Sequence, residues 1–175
     1  MYSDTVVYWT QPMKIAVIAA ALAALPALAV PVPKVSIASL DEIARPLPLP
    51  YDESADGVAQ VAAAKARAKA SHKLLLIDLG GNWCPDCRVL AGVMALPEVK
   101  SFLARHYEVV TVDIGRRDKN LGIAEHYGAD IKGVPAVLVV DPKTDHLRNA
   151  GHYGALSDAR TMTPQALADW LASWL

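Results

Sequence analysis

One junction constrains this chain more than any other. Lys73 to Leu79 is a run of long and branched apolar residues carrying a single acid, Asp78; Gly80-Gly81 follows, and the pattern turns helical from about Cys84 to Leu96. The run is short enough to be a strand buried on both faces, and such a strand needs a layer packed on each side of its sheet.

The remaining pattern agrees with that requirement. Residues 54–71 are dominated by Ala, Lys, Arg and Gln, and Val58, Val61, Ala62 and Lys65 are spaced to form one stripe of a helix. Pro97 opens a short helix carrying Val99, Phe102 and Leu103. Glu108 to Ile114 is a second β-rich run, residues 120–127 form a short helix stopped by Gly128, and Ala136 to Asp141 is a third strand ended by Asp141-Pro142. His146 to His152 reads as a fourth strand, less apolar and nearer an edge. Thr163 caps a last helix with Pro164 in its first turn and Leu167, Trp170, Leu171 and Trp174 as its buried stripe. The alternation predicts an α/β layer sandwich over residues 54–175, with a central mixed sheet of about four strands flanked by helices.

Ahead of that domain, prolines 31, 33, 46, 48 and 50 exclude regular structure from most of residues 30–53. The segment reads as a linker, with a helical turn at Leu40 to Arg45 capped by Ser39. Ile15 to Val30 is uncharged, rich in Ala and Leu, and shorter than the ~20 residues of a membrane-crossing helix. Lys14 precedes it, Pro26 interrupts it, and Ala27-Leu28-Ala29 places small residues where signal peptidase cuts. Residues 1–29 therefore read as a cleavable signal peptide. Met1 to Pro12 holds Asp4 and no basic residue, which makes Met13 the alternative start. The expected product is exported, periplasmic in a bacterium, with no stable membrane span in its mature form.

A formal charge of −1, with acids and bases scattered, provides no footprint for a nucleic acid or an anionic membrane surface. Two cysteines cannot build a multi-bridge disulfide framework, so their role is local. They stand in Trp83-Cys84-Pro85-Asp86-Cys87, where a buried strand gives way to a helix. Unpaired N–H groups and the macrodipole at a helix N-terminus favour a thiolate, which makes Cys84 the nucleophile. Two intervening residues bring Cys87 within reach of a mixed disulfide on Cys84, as the resolving thiol. Zinc would need four ligands, and neither a second cysteine pair nor paired histidines near the motif supply them. No cofactor is implied, because the dithiol is itself the redox group.

With these residues the chain resembles thioredoxins over about residues 74–175. Asp78, six residues before Cys84, is similar to the family's buried acid, a proton relay for the resolving thiol. Gly133-Val134-Pro135 resembles its cis-proline loop, which faces the dithiol and pairs with substrate backbone; Gly154-Ala155-Leu156-Ser157 resembles its C-terminal glycine segment. The resemblance implies a thioredoxin-like fold, a thiol/disulfide exchange activity, and substrate contacts at Trp83, Val134 and Pro135.

Four departures stand out. The lysine that thioredoxins place near the buried acid falls at Val109, so burial alone acts on Asp78 and its pKa is expected to rise. Gly92 stands where the family's helix proline does, and residues 115–120 form an extra charged loop, read as solvated surface. Within the motif, Pro85 and Asp86 replace the family's central pair. Aspartate disfavours a neighbouring thiolate, an effect partly offset by Arg88, and the combination predicts a reducing to intermediate potential. The leading reading is a disulfide reductase for exported protein clients, fed by a membrane thiol donor. An oxidase or isomerase on the same fold, and a non-catalytic binding module, are the alternatives.

Overall fold

The computed structural model describes residues 31–175. The signal peptide read over residues 1–29, with its alternative start at Met13, lies outside the described residues. Among the described residues no helix is long and apolar enough to cross a membrane.

Leu74–Gly80 forms β1, Tyr107–Asp113 β2, Ala136–Asp141 β3 and His146–Leu147 β4. Gly57–Ser71 is α1, Pro85–Met94 α2, Pro97–His106 α3, Gly122–His126 α4 and Pro164–Ala172 α5. The strand order is β2-β1-β3-β4, with β1 parallel to β2 and antiparallel to β3. This is the expected mixed sheet of four strands flanked by helices.

Alternation along β1 divides the core. Leu75, Ile77 and Leu79 face α1 and α4, with Val61, Ala64, Ala68 and Ile123. Leu76, Val137 and Val139 face α2, α3 and α5, with Leu90, Phe102, Leu167 and Leu171. Side chains on one strand alternate faces, so Asp78 shares the face of Leu76 and lies beneath α2.

Two local expectations are corrected. The stripe expected from Val58, Val61, Ala62 and Lys65 is rotated: Val61, Ala64 and Ala68 are buried, while Val58 is exposed. Alanines weight neither face strongly, so the close fit of Gly57 decides the roll; a Cβ there would lie 2.7 Å from Val112 Cγ1. The fourth strand also stops at Leu147 instead of reaching His152. Asn149 takes over its pairing with side-chain atoms, accepting from Val139 N–H at 2.9 Å and donating to the Val137 carbonyl at 2.7 Å.

The proline-rich segment carries one 3-10 turn, Leu40–Glu42, capped by Ser39. Its prolines keep it irregular without detaching it. Ile43 is buried in the α2 face of the core, and Gly92 is the reason it fits, since a Cβ at Gly92 would lie 2.8 Å from Ile43 Cγ2. Further along, Arg88 donates to the Leu47 and Pro48 carbonyls at 2.9 and 3.2 Å, and Thr111 donates to the Pro50 carbonyl at 2.7 Å.

Candidate active site

The site is built where β1 ends. Cys84 is the N-cap of α2, Pro85 occupies the first turn, and Cys87 lies one turn in. Both thiols are free, and the Cys87 N–H donates to Cys84 Sγ at 3.2 Å. The Cys84 thiol is lowered to about 7, chiefly by the hydrogen bond from the Cys87 thiol, with the N–H groups of Cys87 and Asp86 adding to it. Burial and the Asp86 charge oppose that shift. The same thiol–thiol bond, together with burial, drives Cys87 far above the ordinary thiol range. One sulfur is thus disposed to ionise near neutrality, and its partner holds its proton.

Cys84 is only 3 % exposed, so the sulfur is reached through a narrow approach rather than from an open surface. One wall is Val134, whose carbonyl accepts from Cys84 Sγ at 3.5 Å; the Val134–Pro135 peptide is cis. Trp83, 41 % exposed, lies outside the core. Its indole N–H donates to the Gly115 carbonyl at 2.7 Å, and the Arg116 guanidinium lies 4.8 Å from the ring centroid. The 115–120 loop, expected to be plain solvated surface, therefore braces Trp83.

Asp78 is fully buried. Tyr51 donates to its Oδ1 at 3.0 Å, whereas Oδ2 has no hydrogen-bond partner. Burial raises the carboxyl to about 7, resisted by the Tyr51 bond and assisted by the Cys84 charge. This is the direction expected of a buried acid without a basic partner, and Val109 packs among apolar residues. A cavity of about 250 Å³ reaches Asp78 between Pro50, Ala91, Met94, Lys100 and Thr111.

One assignment is corrected. Arg88 does not offset Asp86, because residues two apart on a helix do not face each other, and its guanidinium is committed to Leu47 and Pro48. The partner is Arg160, whose N–H and Nε donate to Asp86 Oδ1 at 2.9 and 3.1 Å. Sequence reasoning passed over Arg160, Tyr51 and Asn82, and no local spacing marks any of them. We expect alkylation of Cys84 by iodoacetamide to rise about fivefold between pH 6 and 7 and to level off above pH 8. In an Arg160→Gln variant the midpoint should move up by about half a pH unit, as the Asp86 charge loses its counterion.

Comparison with known proteins places this geometry. A family profile described as thioredoxin-like matches residues 56–142. The crystal structure of a disulphide isomerase from Xylella fastidiosa Temecula1 is 41% identical, with 72% of this chain and 96% of that one covered, at a TM-score of 0.67. The chain belongs to the thioredoxin-like family. The oxidised C-terminal domain of DsbD from Neisseria meningitidis is 25% identical over 51% of this chain and 77% of that one, with a TM-score of 0.39. No curated protein matches. As a thioredoxin-like disulfide oxidoreductase, the protein carries its CxxC pair at Cys84 and Cys87.

Proposed function

We propose that the protein is a disulfide reductase for exported proteins, acting by dithiol exchange through Cys84 and Cys87. The observation that carries this reading is the modest activation of Cys84, lowered only to about 7 with a carboxylate at Asp86 opposing the thiolate. Strong oxidants stabilise their thiolate much further, with pKa values of about 3.5, whereas reducing members lie near about 7. A weakly stabilised thiolate leaves the dithiol a better electron donor. Val134 walls the approach to Cys84, and an extended client strand beside cis Pro135 would present its disulfide to that sulfur.

The export half of this reading rests on the apolar segment Ile15 to Val30, and a reductase outside the cytoplasm draws its electrons from a membrane thiol carrier. A second reading, disulfide isomerisation, is favoured by the name of the 41% identical relative. Equilibration against glutathione separates the readings. A potential near about −270 to −230 mV supports the reductase, one near about −180 mV with repair of a scrambled substrate supports the isomerase, and one near about −120 mV overturns both.

A further inference from the structure

The proline-rich segment delivers one side chain into the redox site, and the way it is fastened shows that this placement is built. Asn82, two residues before Cys84, clamps the backbone of Tyr51 on both sides: its Oδ1 accepts from Tyr51 N–H at 3.1 Å, and its Nδ2 donates to the Tyr51 carbonyl at 2.8 Å. Arg88, next to Cys87, and Thr111, the register partner of Asp78 on β2, hold residues 47, 48 and 50. Tyr51 is 3 % exposed, and its hydroxyl donates to Asp78 Oδ1. A Cβ on Gly80 would lie 2.5 Å from that hydroxyl and 2.8 Å from Cys87 Sγ, so the phenol, the resolving thiol and the carboxylate converge where glycine leaves space. Burial, with Asp78 and Cys87 beside it, keeps the phenol un-ionised at any physiological pH, so it acts as a fixed donor.

We propose that Tyr51 is a positioning residue of the dithiol site: by holding Oδ1 of Asp78 it orients the carboxylate toward Cys87 and leaves Oδ2 free to bind the proton that Cys87 gives up. The inference rests on the exchange reaction described above. Once Cys84 is joined to a client sulfur, the Cys87 thiol transfers its proton to the Asp78 carboxylate, and the resulting thiolate attacks Cys84 Sγ. The Cys84–Cys87 bond forms and the Cys84–client bond breaks. The electron pair leaves on the client sulfur, which takes a proton from water; the client disulfide is reduced and the dithiol is oxidised. The titratable and charged groups facing Asp78 are Tyr51 from the proline-rich segment, Cys84 and Cys87 from the α2 turn, and Lys100 of α3 at the cavity rim, while β2 and β3 present Thr111 and Val137.

Tyr51→Phe keeps the ring and removes only the hydroxyl. The Asp78 carboxyl, followed by carbon NMR in the reduced protein, should then titrate about one pH unit higher. The pH profile of client release from a preformed Cys84 mixed disulfide should move with it, slowing release several-fold at pH 7. Added to Asp78→Asn, the same substitution should change nothing further. An unmoved Asp78 titration, or equal slowing with and without Asp78, overturns the proposal. If Tyr51→Phe fails to fold, Asn82→Ala, which keeps the hydroxyl and frees its backbone clamp, should shift the titration the same way, and its failure to do so is equally decisive. The titration needs no client, so a wild-type protein without exchange activity would remove the redox reading and leave this result standing.

Discussion

Cys84→Ser is expected to abolish disulfide turnover, whereas Cys87→Ala should complete the first exchange and stop at a covalent adduct. The asymmetry follows from the site. Cys84 Sγ receives hydrogen bonds from the second thiol and from the Cys87 N–H, and it is the sulfur lowered to about 7. Cys87 is completely buried and holds its proton, so it attacks only after Cys84 has brought a client sulfur to it. Without Cys87 nothing releases the client. Removing that thiol also deletes the largest influence lowering Cys84, so the trap should work slowly at pH 7 and well at about pH 8.5, near the ordinary thiol value. Non-reducing electrophoresis and mass spectrometry of adducts on Cys84 check the outcome. Partners retained equally after both cysteines become serine would instead identify a binding module.

The second large effect concerns stability. Asp78 has no exposed surface, and its carboxyl is held from an ordinary 3.8 up to about 7, chiefly by burial. Between those pH values the native protein keeps a proton that the unfolded chain has lost. Raising the pH through that window therefore removes stability, on the order of 4 kcal/mol in total; the contribution is fully present below about pH 4 and spent above about pH 7. Asp78→Asn should erase this slope, so in urea unfolding the difference between variant and wild type should change in the variant's favour as the pH rises from about 4 to about 7, the other carboxylates being common to both. At pH 8 the variant should be more stable by roughly 2 kcal/mol, the remainder being lost to an amide N–H without a partner. The gain in stability carries a loss in rate: without the acceptor for its proton, Cys87 should resolve mixed disulfides about a hundredfold more slowly at neutral pH. A variant that loses stability at pH 8 would show that the carboxylate is not the buried liability this geometry makes it.

Much of the architecture was legible because it is written in local spacing. The run ending at Leu79, the two glycines and the helix after Cys84 specify a strand–turn–helix unit, and that unit alone puts one cysteine at the N-cap and the other a turn inside. Pro97, Thr163 and Pro164 mark helix starts by the chemistry of their own backbones. The roll of α1 was misread because alanine supplies too little apolar surface to declare a face. The shortened β4 was misread because an asparagine side chain can stand in for a strand's peptide groups, which periodicity does not register.

By itself the sequence determined the order of elements, the placement of the dithiol at helical amides, and the burial of an acid on the central strand, all consequences of residues within a few positions of one another. Tertiary structure alone decided what surrounds those groups. Tyr51 reaches Asp78 across 27 positions, and Arg160 reaches Asp86 across 74. Such contacts depend on how the chain folds back on itself, and a lone tyrosine among prolines or an arginine in a turn carries no periodic signal of the partner it will meet.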